Sequence, residues 1–135
     1  MNKEKNIQSI LVLNKMVFDK IEFKRLGFSS DKELEVEIQS NIAQKNDEAV
    51  YKVTLNLKGS KPDEYIFEIS LTGFFTIEQE DTITEELRDI LISKNTVSIL
   101  MPYLRSEVSL LTAQPGMECV VLPVFNINKM MEDNQ

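Results

Sequence analysis

Few residues in this chain are of types that could catalyse a reaction, and their spacing does not pair a nucleophile with a base. The chain of 135 residues has no histidine and a single cysteine, Cys119, so no imidazole is available to act as the base for a nucleophilic thiol. Beside Val120 and Val121, Cys119 is typical of a small buried hydrophobic residue. Tyr103 and Arg105 resemble an active-site pair, but on a helix this spacing is more typical of an interface tyrosine and a capping or salt-bridging arginine.

An acidic cluster early in the chain suggests a metal site only at first reading. Glu33, Glu35 and Glu37 alternate with Leu34 and Val36, which is the pattern of a half-buried strand with one solvated side. We therefore expect no metal site, no cofactor and no catalytic residue, and we expect that the chain is not an enzyme.

Composition and charge narrow the class of protein further. Apolar residues make up 42% of the chain and charged residues 27%, as in an ordinary globular protein, and 135 residues predict a single domain. A net charge of −7 argues against nucleic-acid binding, because phosphates would be repelled. The apolar run at residues 10–13 is too short for a signal-peptide core, and no window approaches the roughly 20 residues of a membrane span. We expect a cytoplasmic protein.

The first half of the chain alternates apolar and polar residues with a period of two, which predicts strands. Polar turns are expected at residues 45–48 and 59–63. Four segments with short connections indicate an antiparallel sheet with one buried face. The apolar stripes are Ile21 and Phe23; Leu34, Val36, Ile38 and Ile42; Tyr51, Val53, Leu55 and Leu57; and Tyr65, Phe67, Ile69, Leu71, Phe75 and Ile77.

The second half changes to the helical period. Thr82 and Glu85 have the spacing of a capping box, the pattern is interrupted at residues 93–95, and Pro102 predicts a kink or a restart of the helix. The fold class expected is α+β, a four-stranded antiparallel sheet with a kinked helix packed on one face. The main apolar stripe of this helix is Val97, Leu100, Met101, Leu104, Val108 and Leu111.

The helix carries more apolar surface than its own sheet can bury. Ile99, Tyr103 and Leu110 lie away from the main stripe. A helix that is apolar over so wide an arc requires a second partner. We interpret these three residues as an interface with another subunit, so that the chain forms a homo-oligomer.

One stretch of this helix resembles a known family. Pro102, Tyr103 and Arg105 match the Pro-Tyr-x-Arg core of the signature helix in the SecB-type preprotein-export chaperones. Three further segments resemble family motifs and follow in the family's order: a third-strand motif at residues 50–55, a Gly-Phe-Phe-Thr-Ile turn at residues 73–77, and an extended Leu-Pro-Val segment at residues 122–124.

The resemblance implies an ATP-independent holdase. Members of this family bind unfolded, translocation-competent polypeptides in apolar grooves, assemble as dimers of dimers, and pass their clients to the export motor ATPase. The expected partners are therefore unfolded polypeptides, the motor ATPase and further copies of the chain, as a dimer or a tetramer. The alternative is a SecB-like interaction protein dedicated to a single partner, such as an antitoxin.

Several residues are candidates for these contacts. Glu68 matches an acidic position at which family members contact the motor ATPase, whereas Lys20 and Lys24 stand on the first strand where such members carry acidic residues. Ile66 and Phe74 are out of phase with the buried stripe of their strand, which fits either a groove or a rim or oligomer contact. The candidate polypeptide-binding groove comprises Leu26, Phe28, Ile66, Phe74, Leu122, Val124 and Phe125.

Overall fold

A four-stranded antiparallel sheet is followed by a helical half, as the sequence predicts. The computed structural model describes residues 10–44, 50–78 and 82–123. The strand order is β1-β4-β3-β2, so that β1 and β2 are the two edges. The elements are β1 (Leu11–Arg25), β2 (Glu35–Gln44), β3 (Val50–Lys61), β4 (Tyr65–Ile77), α1 (Glu85–Ile90), a π-helical turn (Leu91–Asn95) and α2 (Thr96–Thr112).

The two faces of the sheet differ in their covering. α2 packs against β4 and β3, and we call this side the helix face and the opposite side the outer face. Because side chains alternate along a strand, Phe67 and Ile69 point to the helix face, whereas Glu68 and Ser70 point to the outer face. The predicted stripes of β3 and β4 are confirmed, since all their members are at most 5% exposed.

β1 is longer than its alternation suggested. It begins at Leu11, and register shifts between Leu13 and Lys15 and between Phe18 and Lys20 insert an extra residue at two places. Each bulge shifts the next apolar residue one position further along the chain. A strict period of two is therefore visible only at the C-terminal end of β1. The apolar residues paired with the helix-face side of β4 are Leu11, Leu13, Met16, Phe18, Ile21 and Phe23.

The predicted loop at residues 59–63 is partly wrong, because β3 continues to Lys61. Gly59 stays in the strand since the ring of Phe67 on β4 lies over it, in the space that a Cβ atom would occupy. The chain reverses only in the turn at residues 62–64. There Asp63 has a φ of 71°, a left-handed conformation that aspartate tolerates better than most residues.

The helical half begins two residues later than the predicted capping box. Thr84, in an extended conformation, accepts a hydrogen bond at its Oγ1 from the Leu87 N–H at 3.1 Å, so Thr84 and not Thr82 is the cap. The predicted interruption at residues 93–95 is the π-helical turn, which connects α1 to α2 without a break. α2 continues through Pro102.

The close packing of Phe67 on Gly59 yields a stability prediction. We expect Gly59→Ala to lower the free energy of unfolding by about 1–3 kcal/mol, since overpacking a core contact costs this much. Urea unfolding of the variant beside Ser60→Ala, a neighbour on the outer face, measures the difference. A Phe67→Leu background should shrink the effect of Gly59→Ala; an equal loss in both backgrounds would contradict the assigned cause.

Candidate functional site

The helix face is apolar beyond the area that α2 covers. α2 packs on β3 and β4, and the outer strands on either side carry apolar residues that are only partly buried. Ile21 is 45% exposed. We call the two uncovered borders the β1 flank, formed by Met16, Phe18, Ile21 and Phe23, and the β2 flank, formed by Val36, Ile38 and Ile42.

Aromatic packing gives one end of the β1 flank a fixed shape. The ring of Phe23 stacks on Tyr65 with 5.5 Å between centroids, and Tyr65 stacks on Phe67 at 6.1 Å. The Arg25 guanidinium lies 5.8 Å from the centroid of the Phe23 ring. Burial raises the pKa of Tyr65. At this end of the flank the partly buried ring of Phe23 therefore rests on the buried ring of Tyr65.

An extended segment at residues 117–123 runs along α2 and is tied to it by hydrogen bonds. Arg105 donates from Nη2 to the Leu122 carbonyl at 3.0 Å and from Nε at 3.3 Å. Ser109 donates to the Val120 carbonyl at 2.9 Å, and the Val120 N–H donates to Thr112 Oγ1 at 2.8 Å. Arg105, interpreted as a capping or salt-bridging residue, donates its hydrogen bonds to this backbone among the residues that the structure describes.

The candidate groove residues are placed in different parts of the molecule. Leu122 is 4% exposed and belongs to the core, because the Arg105 bonds hold its backbone against α2. Leu26 and Phe28 lie after β1 and are 49% and 90% exposed, and the Leu26 N–H donates to the Glu64 carbonyl at 2.8 Å.

The remaining candidates lie elsewhere or outside the described residues. Ile66, 39% exposed, and the half-buried Phe74 are on the outer face, near opposite ends of β4. Val124 and Phe125 lie outside the described residues. The described candidates do not form one surface, and their role in client binding stays a prediction. Ile21, Phe23 and the members of the β2 flank were predicted as apolar stripes, whereas Met16 and Phe18 were missed because the bulges of β1 hide its period.

The outer face carries a polar network centred on Glu68. Its carboxylate accepts a hydrogen bond from Asn56 Nδ2 at 2.9 Å and one from Lys20 Nζ at 3.0 Å. These hydrogen bonds, first from Asn56 and then from Lys20, lower the pKa of Glu68. The same hydrogen bond to Glu68 raises the pKa of Lys20. The acidic candidate for motor binding is thus already paired within this chain.

A depression of about 1100 Å³ lies at this end of the sheet. Its lining includes two adjacent cross-strand rows of the outer face, in which Ile66 is the apolar side chain among charged ones. Acidic and basic groups are both present, so the surface has no strong single sign of charge. The rows are Lys24, Ile66, Ser60 and Glu35, and Glu22, Glu68, Lys58 and Glu37.

The exposed side of α2 carries the proposed subunit contacts on one stripe. Ile99, Tyr103 and Leu110 are four and seven residues apart, which places them on the same side of a helix. Tyr103 is 47% and Leu110 68% exposed. A cleft of about 550 Å³ lies between α2 and the extended segment, and Leu110 and Val121 are among the residues that line it. An apolar surface of this kind is available for a protein contact.

Catalytic groups are not assembled in the part of the chain that the structure describes. No group of three or more histidine, cysteine, aspartate or glutamate residues there could hold a metal ion. Cys119 is exposed, so the expectation of a buried cysteine is wrong, and its thiol donates to the Ser109 carbonyl at 3.4 Å. Among the same residues, no helix is both long and apolar enough to cross a membrane.

Comparison with known proteins decides the family. Residues 6–135 match the family model "Preprotein translocase subunit SecB". The chain belongs to the SecB family. A curated SecB member, the protein-export protein SecB of Anaplasma phagocytophilum, is 28% identical over 88 residues, which are 62% of this chain and 56% of that relative.

A solved structure shows a SecB-like fold. The SecB-like chaperone of Mycobacterium tuberculosis, in complex with a peptide from an antitoxin, superimposes with a TM-score of 0.71 over 90% of this chain and 92% of its own. The sequence identity is 12%, so this likeness concerns the fold. The predicted fold class is confirmed.

The Glu68 network gives this SecB-family chain a testable pH dependence. Because the pKa of Glu68 is lower in the folded chain, the network stabilises the fold above the ordinary glutamate pKa of about 4.3, and this contribution is lost as pH falls through the lowered value. We expect Glu68→Gln to show a smaller loss of stability between pH 6 and about pH 3 in urea unfolding. Glu22→Gln, at a site two-thirds exposed, should follow wild type; identical profiles for all three proteins would contradict the pairing.

Proposed function

We propose that this chain is an ATP-independent holdase chaperone that binds unfolded polypeptides in the cytoplasm and acts in protein export. The observation that carries the proposal is the pair of partly exposed apolar flanks beside α2. Family membership supports the chaperone role. No bond is made or broken in this activity, so only shape and apolar surface are needed.

Binding through the flanks follows from the hydrophobic effect. Burial of apolar surface stabilises a complex by roughly 25 cal/mol per Å², and it makes few demands on the sequence of the client. The flanks run along strands of 15 and 10 residues, so an extended client could contact several side chains at once. Folded proteins bury their apolar residues and would offer no comparable surface.

The proposal predicts that client binding depends on an apolar residue of the β1 flank and not on an apolar residue of the same strand on the outer face. Ile21→Ser should weaken client binding about tenfold, because about 1–2 kcal/mol of apolar burial is lost. Val17→Ser is the matched control, since Val17 is an exposed branched residue of the same strand and is paired on the outer face with Thr72. Binding of a fluorescent unfolded client, with light scattering of an aggregating one, measures both.

Two outcomes would contradict the holdase proposal. The first is that wild-type protein at a stoichiometric ratio leaves the aggregation rate of a denatured client unchanged. The second is that the two variants lose binding equally. A pull-down that recovers one stoichiometric protein, with no broad set of clients, would indicate the alternative of a dedicated partner such as an antitoxin.

We also propose that the chain forms a homo-oligomer, a dimer or tetramer, through the exposed stripe of α2. Tyr103 and Leu110 leave large apolar areas uncovered within one protomer, and burying them against a second copy would remove that surface from water. Ile99, partly buried in the core cluster, lies at the edge of the same stripe.

Sedimentation velocity tests the stripe directly. We expect Tyr103→Asp and Leu110→Asp to shift the chain to a smaller species, because a charge would be buried in an apolar contact. Ser98→Asp, exposed on α2 but off the stripe, should sediment as wild type does. An unchanged oligomer in both stripe variants would remove α2 from the interface.

For handover to the export motor, Glu68 remains the proposed contact. A basic partner would have to compete with Lys20, which already donates to this carboxylate at 3.0 Å, and Lys24 lies near it in the depression. The outer face therefore offers weaker attraction to a basic partner than a purely acidic face would.

A further inference from the structure

The segment that leaves β1 is fixed by its backbone to the turn between β3 and β4. The N–H groups of Leu26 and Gly27 both donate to the Glu64 carbonyl, at 2.8 and 3.1 Å. Arg25 Nη1 donates to the Gly27 carbonyl at 3.0 Å. Two residues thus oppose one, which is the arrangement of a β-bulge, and bulges redirect a strand beside functional sites. The backbone is held up to the residue before Phe28, whose side chain is 90% exposed.

The turn itself is braced at the residue that receives these bonds. Lys61 Nζ lies 2.9 Å from Glu64 Oε1, and the Glu64 N–H donates to the Lys61 carbonyl at 3.0 Å. Glu64 is 6% exposed, and a carboxylate in such a place requires a paired charge. The ion pair and the backbone bond together fix Glu64, and with it the carbonyl that holds the segment after β1.

Gly27 is required by the closeness of this contact. A Cβ atom at this position would collide with the carbonyl oxygen of Asp63. Because that oxygen belongs to the backbone, no side-chain rotation could relieve the collision, and glycine alone allows the approach. β1 is already paired with β4 as far as Arg25 and Tyr65, so these contacts are not needed to complete the sheet. What they fix is the segment that carries Phe28.

We propose that Gly27 and Glu64 are positioning residues for client binding, which hold Phe28 in place as an aromatic contact for an unfolded polypeptide. This rests on the proposed holdase function and specifies how one contact of that function is prepared. Phe28 follows the β1 flank along the chain, since Phe23 is the last member of the flank. It therefore extends the surface already assigned to clients.

A fixed backbone raises affinity because its ordering is complete before the client arrives. A loose segment would have to be ordered when the client binds, and that loss of conformational entropy weakens a complex. A phenylalanine ring offers a large apolar area with few rotatable bonds of its own. The Phe28 ring supplies the area, whereas Gly27 and Glu64 supply its position. Removal of the ring and release of its backbone should therefore act on the same contact.

A single tryptophan tests whether the segment is held. The chain has no tryptophan, so Phe28→Trp introduces one fluorescent reporter. In that background we expect Gly27→Ala and Glu64→Gln each to increase the local motion of the indole, measured by the decay of its fluorescence anisotropy. Ser29→Ala, at an exposed neighbour, is the matched control and should leave the decay unchanged. Circular dichroism checks that each variant is folded; an unchanged decay in Gly27→Ala or Glu64→Gln would overturn the positioning role of that residue.

Affinity for a fluorescent unfolded client tests whether the held position serves binding. Phe28→Ser and Gly27→Ala should each weaken binding about fivefold, and the double variant should stay within twofold of Phe28→Ser, because both changes act through one contact. A purely structural effect of Gly27→Ala would instead multiply the loss caused by Phe28→Ser. Multiplied losses, or wild-type affinity in Phe28→Ser, would overturn the proposal.

The failure of this proposal and the failure of the holdase function are distinguishable. If wild-type protein suppresses aggregation of a denatured client and Gly27→Ala does so equally well, the holdase function stands and the positioning role is wrong. Wild-type protein without any suppression would overturn both. A change of sedimenting mass in Phe28→Ser would show that the ring contacts a second copy of the chain, which would overturn the assignment to clients.

Discussion

α2 packs on two strands of a four-stranded sheet. Because the helix is narrower than the sheet, apolar residues of the two outer strands stay partly exposed. A helix with its side chains is about 10–12 Å across, whereas the axes of the outer strands, three spacings of about 4.8 Å apart, span about 14 Å. Gly73 in β4 fixes where the helix lies, because its missing Cβ leaves room for the Leu100 side chain. The centre is thus sealed, and apolar residues at both borders remain partly exposed.

The outer face is not packed against α2, and it carries hydrogen-bonded polar side chains. A hydrogen-bonded network extends along it from Lys20, Glu68, Asn56 and Ser70 to a second group in which Thr72 contacts Thr54 and Asp19. Such pairs across strands also specify register, because a slip by one residue would move them to the helix face. The contrast between a paired polar face and an uncovered apolar border is the reason to place client binding on the helix face.

The sequence predicts most of the architecture, and its failures have physical causes. Strict alternation marked β2, β3 and β4, and helical spacing marked the buried side of α2. The period failed in β1, where the helix-face residues are separated by two and then by three positions. Such spacing is a usable sign of a bulged strand. At Gly59 the turn propensity of glycine was outweighed by the Phe67 ring, a tertiary contact that local sequence does not encode.

The candidate site was predicted less well, because the exposure of each of its residues depends on which distant parts of the chain pack over that residue. Leu122 follows an exposed valine and precedes a proline, as a groove wall would, yet it is buried once Arg105 has bound its carbonyl. Local pattern cannot separate these outcomes, since the partner lies 17 residues away. The family motif that marked Arg105 pointed to an important residue without revealing what it binds.

The fixation of α2 from two sides also determines how the flanks would act. The helix is packed on β3 and β4 below, and the segment at residues 117–123 is bonded to Arg105, Ser109 and Thr112 on the helix. Moving the helix sideways to cover β1 or β2 would break its packing on β3 and β4. The apolar borders are therefore present before any client arrives. Preformed surfaces spare the complex the cost of ordering the receptor, so the entropy lost on binding would come mainly from the client.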